Sequence, residues 1–267
     1  MKRELAAYGI LLAWAGLALA AGLLPLEPNH IYLDRILSTP GAGAWLGYDD
    51  LGRRVADRLL LGLRASLAVV VIVVPVCAVF GAMIGMTAAW SGGTWDRLCM
   101  GFIDLTLAFP GLLLALALAA ALGPSLSNVA LALMLTGWVG YARLARAQTL
   151  ALRDREHVQA ARVVGTAPPV IWRRHVLPLI AMPLIIEATL GVGGVIVAEA
   201  GLSFLGLGAR PPAPSLGGMI RDGTYYMLVA PHLLVAPGMT LLLIVAAVNE
   251  IGESLRRRLD VRAVIRQ

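Results

Sequence analysis

Five stretches of this chain are long, apolar and almost uncharged, and nothing else in the sequence constrains the fold as strongly. Residues 5–26, 65–95, 105–142 and 223–249 contain no Asp, Glu, Lys or Arg, and 176–209 holds only Glu187 and Glu199. A helix needs about 20 apolar residues to cross the hydrocarbon core of a bilayer. Each stretch meets that length, and 105–142 is long enough for parts of two helices. Gly123, Pro124 and Ser125 interrupt it, which predicts a tight turn. The expectation is an all-α integral membrane protein with six transmembrane helices, near 6–26, 66–90, 98–122, 127–149, 181–205 and 229–252. Composition agrees: the chain is 59% hydrophobic and 14% charged, where an average soluble domain is about half apolar and about a quarter charged. The first run follows a Met-Lys-Arg start, as a signal peptide would. It is longer than the usual apolar region of one, and no clear A-x-A site follows, so a retained helix is expected.

Basic residues set the orientation, because cytoplasmic segments carry the excess of Lys and Arg. With both termini inside, fifteen of the 22 basic residues fall on the cytoplasmic side and seven outside. The misfit is the run from Arg53 to Arg64. Leu51, Val55, Leu59, Gly62 and Leu63 recur there at helical spacing with Arg and Asp between them. That pattern predicts an amphipathic helix lying in the interface, its Arg heads reaching into water.

The same charges exclude several chemistries. Lys2 is the only lysine, so the chain has no room for a GxxxxGK[ST] phosphate loop, and a Schiff-base lysine would have to be Lys2 itself. ATP hydrolysis within this chain is excluded. Cys77 and Cys99 lie in or beside apolar stretches and make neither a disulfide framework nor a metal site. His30, His157, His175 and His232 form no close ligand pair. No catalytic residue, metal site or cofactor is expected in this chain.

One long basic segment, 143–178, lies on the expected cytoplasmic side and carries seven Arg. It reads as two short helices. Asp154 is the expected N-cap, and Glu156 falls in the first turn, where a carboxylate suits the helix dipole. Val158, Ala161 and Gly165 share one narrow face of small side chains, suited to close approach of another surface. Gly165 is the expected helix end, and Pro168 with Pro169 forbids continuation. A second element starts over 171–175, and Pro178 marks entry to the fifth span. A plain solvated connector that obeys the positive-inside rule would look similar.

At these residues a resemblance emerges. E-H-V-Q-A-A-R-V-V-G from Glu156 to Gly165, followed by R-H-V-L-P from Arg174 to Pro178, resembles the EAA loop of ABC importer permeases. The likeness covers most of the chain. W-L-G-Y-D-D-L-G-R from Trp45 to Arg53 resembles the segment after the family's first span, and R-A-S-L from Arg64 to Leu67 its continuation. D-L-T-L-A-F-P from Asp104 to Pro110, W-V-G-Y-A-R from Trp138 to Arg143 and E-A-G-L-S-F-L-G-L-G from Glu199 to Gly208 match further family segments. So do Pro237 with Gly238 and N-E-I-G-E-S-L-R from Asn249 to Arg256. Each alone is weak; their order and spacing together are specific. The chain is identified as a member of the dipeptide/oligopeptide/nickel branch, and it resembles the C-type subunit.

That resemblance implies a type I ABC importer transmembrane fold with both termini cytoplasmic. Residues 1–64 would hold the first helix and a periplasmic segment with the interfacial helix. Residues 65–267 would form the permease domain, with a coupling loop over 150–180. The first helix of that loop would dock in a groove on a separate ATPase, through Glu156, Val158, Gln159, Ala160, Ala161, Arg162 and Gly165. Arg174, His175 and Pro178 would anchor the return to the membrane. Gln159 stands where the family carries an acidic residue, so a charge that would pair with an Arg on the ATPase is gone. ATP and Mg would be bound by that partner. The implied partners are a second homologous permease subunit, two cytoplasmic ABC ATPase subunits, a periplasmic or lipid-anchored substrate-binding protein and membrane lipid, without nucleic acid. The implied location is the bacterial inner membrane. Dipeptides, oligopeptides, nickel chelates and related solutes share this pattern, and nothing in the spans chooses among them.

Some residues stay open. Asp104, Glu187, Glu199 and Glu250 lie in or near spans, where carboxylates are candidate functional groups. Asp104, expected to pair with Arg97, is placed on the substrate pathway with Glu199 and Ser203; structural hydrogen bonding competes for Glu199 and Glu250. Gly81 and Gly85 form a small-residue packing pattern. Pro75, Pro110, Pro183 and Pro237 are expected kinks. Trp14, Trp90, Trp95, Tyr225 and Tyr226 fit an interfacial belt. Two other functions compete. An intramembrane serine protease would use Ser203 and His232, although G-L-S-F-L-G is not G-x-S-x-G. A stand-alone secondary transporter would want an internal repeat, and none is convincing.

Overall fold

The structure, a computed structural model, describes residues 2–41 and 44–265, with side chains over 3–41 and 44–258. Met1 and Arg266 lie outside the described residues, as do the side chains of Lys2 and Arg262. The described residues are 77% helix, with no strand among them. In order the helices are α1 (Lys2–Ala20), α2 (Val55–Ser91), α3 (Gly93–Leu107), α4 (Gly111–Leu122), α5 (Leu126–Arg153), α6 (Glu156–Val163), α7 (Pro168–Ile171), α8 (Leu177–Phe204), α9 (Leu216–Tyr225) and α10 (His232–Ile265).

Length and composition qualify four runs as candidate membrane spans: 3–20, 55–91, 168–204 and 232–258. A fifth arises if α3 and α4 count as one span bent by 84°. The sequence predicts one helix over 98–122. The chain instead breaks at Ala108, Phe109 and Pro110, because proline has no N–H to donate and pushes the residue before it out of the α region. The sixth expected span is α5. Its 28 residues reach about 42 Å, but Asn128, Arg143 and Arg146 dilute its apolar character. Val129, Ala132, Val139, Ala142 and Ala145 face inward on α5, so packing against neighbours replaces hydropathy as its support. The turn expected at 123–125 is present. Gly123 adopts φ +86°, and the Asn128 side-chain amide donates to the carbonyls of Leu122 (2.8 Å) and Gly123 (2.9 Å).

The central contact is α2 against α5. A Cβ on Gly81 would press on the Trp138 carbonyl and sit 2.8 Å from the Tyr141 Cβ; one on Gly85 would press on the Ala142 carbonyl and sit 2.8 Å from the Arg146 nitrogen. The two glycines therefore bring the backbones together, as small residues do where helices pack in lipid. Around this seam Val73, Cys77, Ile103, Leu133, Trp138 and Val139 form one core with Leu184 and Leu202 of α8. A second core joins α1, α2, α8, α9 and α10 through Trp14, Leu63, Val74, Ile196, Leu216 and Ile244. Trp14 is thus buried between helices instead of sitting at an interface: the neighbours on α2 and α10 cover its face of α1. Outward-facing residues such as Leu12, Val71, Phe80, Leu113 and Leu242 remain exposed. Apolar surface on that scale belongs in lipid.

The segment 21–54 is short on regular structure and is organised by Asp49. Its Oδ1 accepts from the backbone N–H of Leu51 (3.0 Å) and Arg53 (2.8 Å), and its Oδ2 accepts from Arg53 Nε (2.7 Å). Arg58 Nε lies 3.4 Å from the same Oδ2. Gly52, at φ +75°, lets the turn pass under the Tyr32 carbonyl, where any Cβ would clash. The L-G-Y-D-D-L-G-R motif is therefore a self-capping turn. The amphipathic helix expected around 51–64 is not a separate element. From Val55 onward those residues are the first turns of α2, and Arg58, expected to reach into water, is only 6% exposed. It is held by Asp49 and by the carbonyls of Pro28 and Pro212, each at 3.4 Å. Counter-charge within the fold is what allows this basic run. Removing one partner of a buried ion pair costs about 3–5 kcal/mol. Asp49→Ala is therefore expected to lower the melting temperature of the detergent-purified chain sharply, and Asp50→Ala only slightly. Equal shifts for the two variants would contradict the role of Asp49.

Candidate functional site

The basic segment begins as the last turns of α5 and, beyond Arg153, continues through α6 and α7 to α8. Asp154 does not cap α6. It closes α5 and pairs with Arg153 at 3.4 Å, while Arg155 precedes α6 without a side-chain cap. Glu156 stands in the first turn as expected. The helix ends at Gly165, φ +82°, where the Gly165 N–H donates to the Arg162 carbonyl (2.9 Å) and the Thr166 N–H to the Ala161 carbonyl (3.0 Å). This is the paired-bond C-terminal motif that glycine favours. Pro168 and Pro169 do more than stop a helix. They start α7, where a missing N–H is harmless. α7 runs into one wide π-turn over Trp172–Val176, and then into α8 with Pro178 in its first turn. Such turns are frequent at functional sites.

The face expected to meet a partner is partly turned inward. Val158 is fully buried in the core with Leu152, Ile171 and Val176, and Ala161 packs against them. Solvent instead meets Gln159, Ala160, Val163 and Val164, the last two 87% and 83% exposed. Arg162 is not a free cation: its guanidinium lies 4.1 Å from the centre of the Trp90 ring. Trp90 in turn meets Trp172 edge-on at 6.1 Å. The end of α2, the outer helix α6 and the π-turn are thereby joined in one cluster. Trp90, read from the sequence as an interfacial residue, belongs to it; its only sequence signal is a Trp at the end of a long apolar run. His157 and His175 lie 6.2 Å apart. Arg174 and Pro178 are exposed, and His175 is half-buried. Nearby, Arg146 grips Asp96 through two bonds of 2.6 Å, and Arg153 donates to the Ala89 carbonyl at 2.8 Å. The expected partner of Asp104 is engaged otherwise: Arg97 donates to Thr94, and no ion pair joins it to Asp104 among the described residues.

Inside the bundle, the polar groups divide into two sets. Glu199 is completely buried, and its carboxylate accepts from Ser66 (2.9 Å) and Ser203 (2.8 Å). Both oxygens are engaged, so these three residues lock α2 to the end of α8. Asp104 is exposed on α3. Glu250 pairs with Arg257 at 3.2 Å. The second set lines a cleft of about 290 Å³ between α2, α4, α5 and α8. Its walls are largely apolar and glycine-rich, and it contains Glu187, Thr136, Tyr141 and Cys77. Glu187 belongs on this wall; the sequence marks it only as a carboxylate in a span.

The protease geometry is absent. The Ser203 hydroxyl donates to Glu199, while His232 Nε2 lies 3.4 Å from the Tyr48 carbonyl.

Several known proteins resemble the chain. The family model described as the inner membrane component of binding-protein-dependent transport systems matches residues 79–263. The glutathione transport system permease protein GsiD of Escherichia coli O157:H7 is 38% identical over 232 residues, which cover 87% of this chain and 77% of that protein. GsiD of Pectobacterium atrosepticum is 37% identical over 239 residues, covering 89% and 79%. A chain of the MetNI methionine ABC transporter, solved in inward-facing conformations, superposes with a TM-score of 0.57 at 18% identity. The match covers 74% of this chain and 95% of that one, and it is a likeness of fold.

Proposed function

The chain belongs to the inner membrane components of binding-protein-dependent transport systems, the permeases of ABC importers, and on that premise we propose that it carries small peptides of the glutathione kind, driven through α6 by a separate ATPase. Membership makes it an integral protein of the bacterial inner membrane and a transport subunit, not an enzyme. Permeases of this family bind no cofactor themselves; ATP is used by a separate ATPase, and a substrate-binding protein delivers the solute.

In this proposal the chain forms half of a translocation pathway with a second, homologous permease. Two ATPase subunits engage the cytoplasmic side, and a periplasmic or lipid-anchored receptor engages the other. Residues 1–64 add the first helix, an outer segment and the opening turns of α2 to the permease domain of 65–267. Both termini lie in the cytoplasm after six crossings, with α3 and α4 as one bent span. Supporting this, Glu4 near the start of α1 accepts from Ser254 and Arg258 near the end of α10. The two ends therefore share one face, as an even number of crossings requires.

The observation that carries the coupling role is the build of α6. A short helix is pinned by Val158 and by Arg162 on Trp90, and it still offers a neutral row of Gln159, Ala160, Val163 and Val164 to solvent. Covering these two valines against a partner would remove apolar surface from water, which favours association. Peptide transport rests on the two glutathione permeases. Labelled glutathione uptake in a strain lacking this chain is expected to return when the gene is restored, and affinity purification from membranes to recover an ATPase. Stringent purification that never recovers an ATPase would sink the coupling role. Restored uptake of another solute, with none of glutathione, would sink the substrate.

A further inference from the structure

The cleft between α2, α4, α5 and α8 contains a half-buried carboxylate, Glu187, that no hydrogen bond or ion pair engages among the described residues. Glu187 sits on α8, ten residues beyond its start at Leu177. Its Oε1 lies so near α5 that a Cβ on Gly140 would be 3.6 Å away. Among the described residues nothing bonds to its carboxylate, in contrast to Glu199, about three turns further along the same helix. Thr136 and Cys77 differ from Glu187. Thr136 donates to its own helix at the Ala132 carbonyl (3.1 Å), and the Cys77 sulfur lies 3.7 Å from the Met134 carbonyl. The Tyr141 hydroxyl packs directly against Gly191, one turn from Glu187, where any larger residue would displace it.

A carboxylate within a span is expensive unless it faces a partner or a water-filled cavity. Here the cavity exists. Glycines at 111, 137, 191 and 194 leave its walls open, and its volume is close to the lower end of the roughly 300–1,000 Å³ typical of ligand sites. Largely apolar walls with a few convergent polar groups describe a binding site rather than a packing defect. A lone carboxylate with a phenol hydroxyl beside it selects a cation that can donate hydrogen bonds.

We infer that this cleft is a station on the translocation path, where Glu187 receives the protonated amine of the passing peptide while Tyr141 offers a second polar contact. The inference rests on the importer reading above. It differs from that reading in assigning discrimination to the permease itself: a blocked amine would gain nothing at Glu187.

The test uses the complete importer in membrane vesicles, with glutathione and N-acetylglutathione as probes. Wild type is expected to take up the free-amine peptide. Glu187→Gln should lower that uptake by about tenfold, as loss of a charge-assisted hydrogen bond does. Glu187→Lys should lower it further, and Glu187→Asp should largely restore it. Uptake of N-acetylglutathione, normalised to chain abundance, should be unchanged by Glu187→Gln, and the melting temperature should hold. Equal loss for both peptides would make Glu187 structural and overturn the inference. So would undiminished glutathione uptake in Glu187→Lys, or a loss in Glu187→Gln that Asp does not rescue when N-acetylglutathione is not carried at all. A wild-type importer that moves neither peptide would overturn the substrate reading first, a result distinct from any pattern among the variants.

Discussion

ATP-driven uptake is expected to fall by about a hundredfold or more when Ala160 and Val163 are both replaced by Asp. The two positions lie on the solvent row of α6, away from Val158 and Arg162, which hold the helix to the bundle. The double variant should therefore fold and reach the membrane at normal levels. Docking would bury the new carboxylates without partners, and an uncompensated buried charge costs about 3–5 kcal/mol. Every 1.4 kcal/mol is about tenfold in an equilibrium, which sets the expected loss. Two readouts separate causes: uptake of labelled peptide, and recovery of the ATPase with the affinity-tagged chain. Both should fall together. Normal uptake at normal abundance would remove α6 as the contact with the ATPase.

Gly85→Leu should abolish accumulation of the folded chain. The backbones of α2 and α5 pass so closely at Gly85 that even a methyl group meets the Ala142 carbonyl. Overpacking a well-filled core costs about 1–3 kcal/mol and sometimes more, and here the obstacle is backbone, which cannot rotate away. The cost falls on the seam that also carries Trp138, Tyr141 and the Arg146–Asp96 pair. Gly85→Ala should give a milder loss in the same direction. Gly101→Leu on α3 is the control, because nothing lies within 4 Å of a Cβ there. Comparing membrane abundance and thermal stability in detergent checks the series. Gly85→Leu accumulating like Gly101→Leu would contradict the packing role.

Several elements were legible because a local rule governs them. The turn at 123–125 followed from glycine and proline chemistry, and the end of α6 at Gly165 from the same kind of rule. Gly81 and Gly85 were marked by spacing alone. Other elements were not legible. Pro110 reads as a kink inside one span, yet the chain turns by 84°, because the direction taken after a helix break depends on the neighbours that receive α4. Asp154 reads as a cap, but Arg153 takes its carboxylate. Val158 and Ala161 read as a docking face because periodicity identifies a face without saying what it meets. The cluster of Arg162, Trp90 and Trp172 joins residues far apart in the chain, so no window of sequence contains it.

Sequence alone establishes that this chain is a helical membrane protein without its own ATP chemistry. Long uncharged runs have few stable homes other than lipid, and a phosphate loop cannot be built without its lysine. The ordered motifs by which the family is recognised are also plain in the linear chain. Which carboxylates are occupied is settled only by the packing of the helices. Glu199 and Glu187 lie on the same helix in similar apolar sequence. One meets two serines across a packed seam, and the other borders a cleft that glycines on three helices hold open. Hydropathy is summed along the chain, but whether a carboxylate is compensated or left open is decided by what the fold brings across from elsewhere.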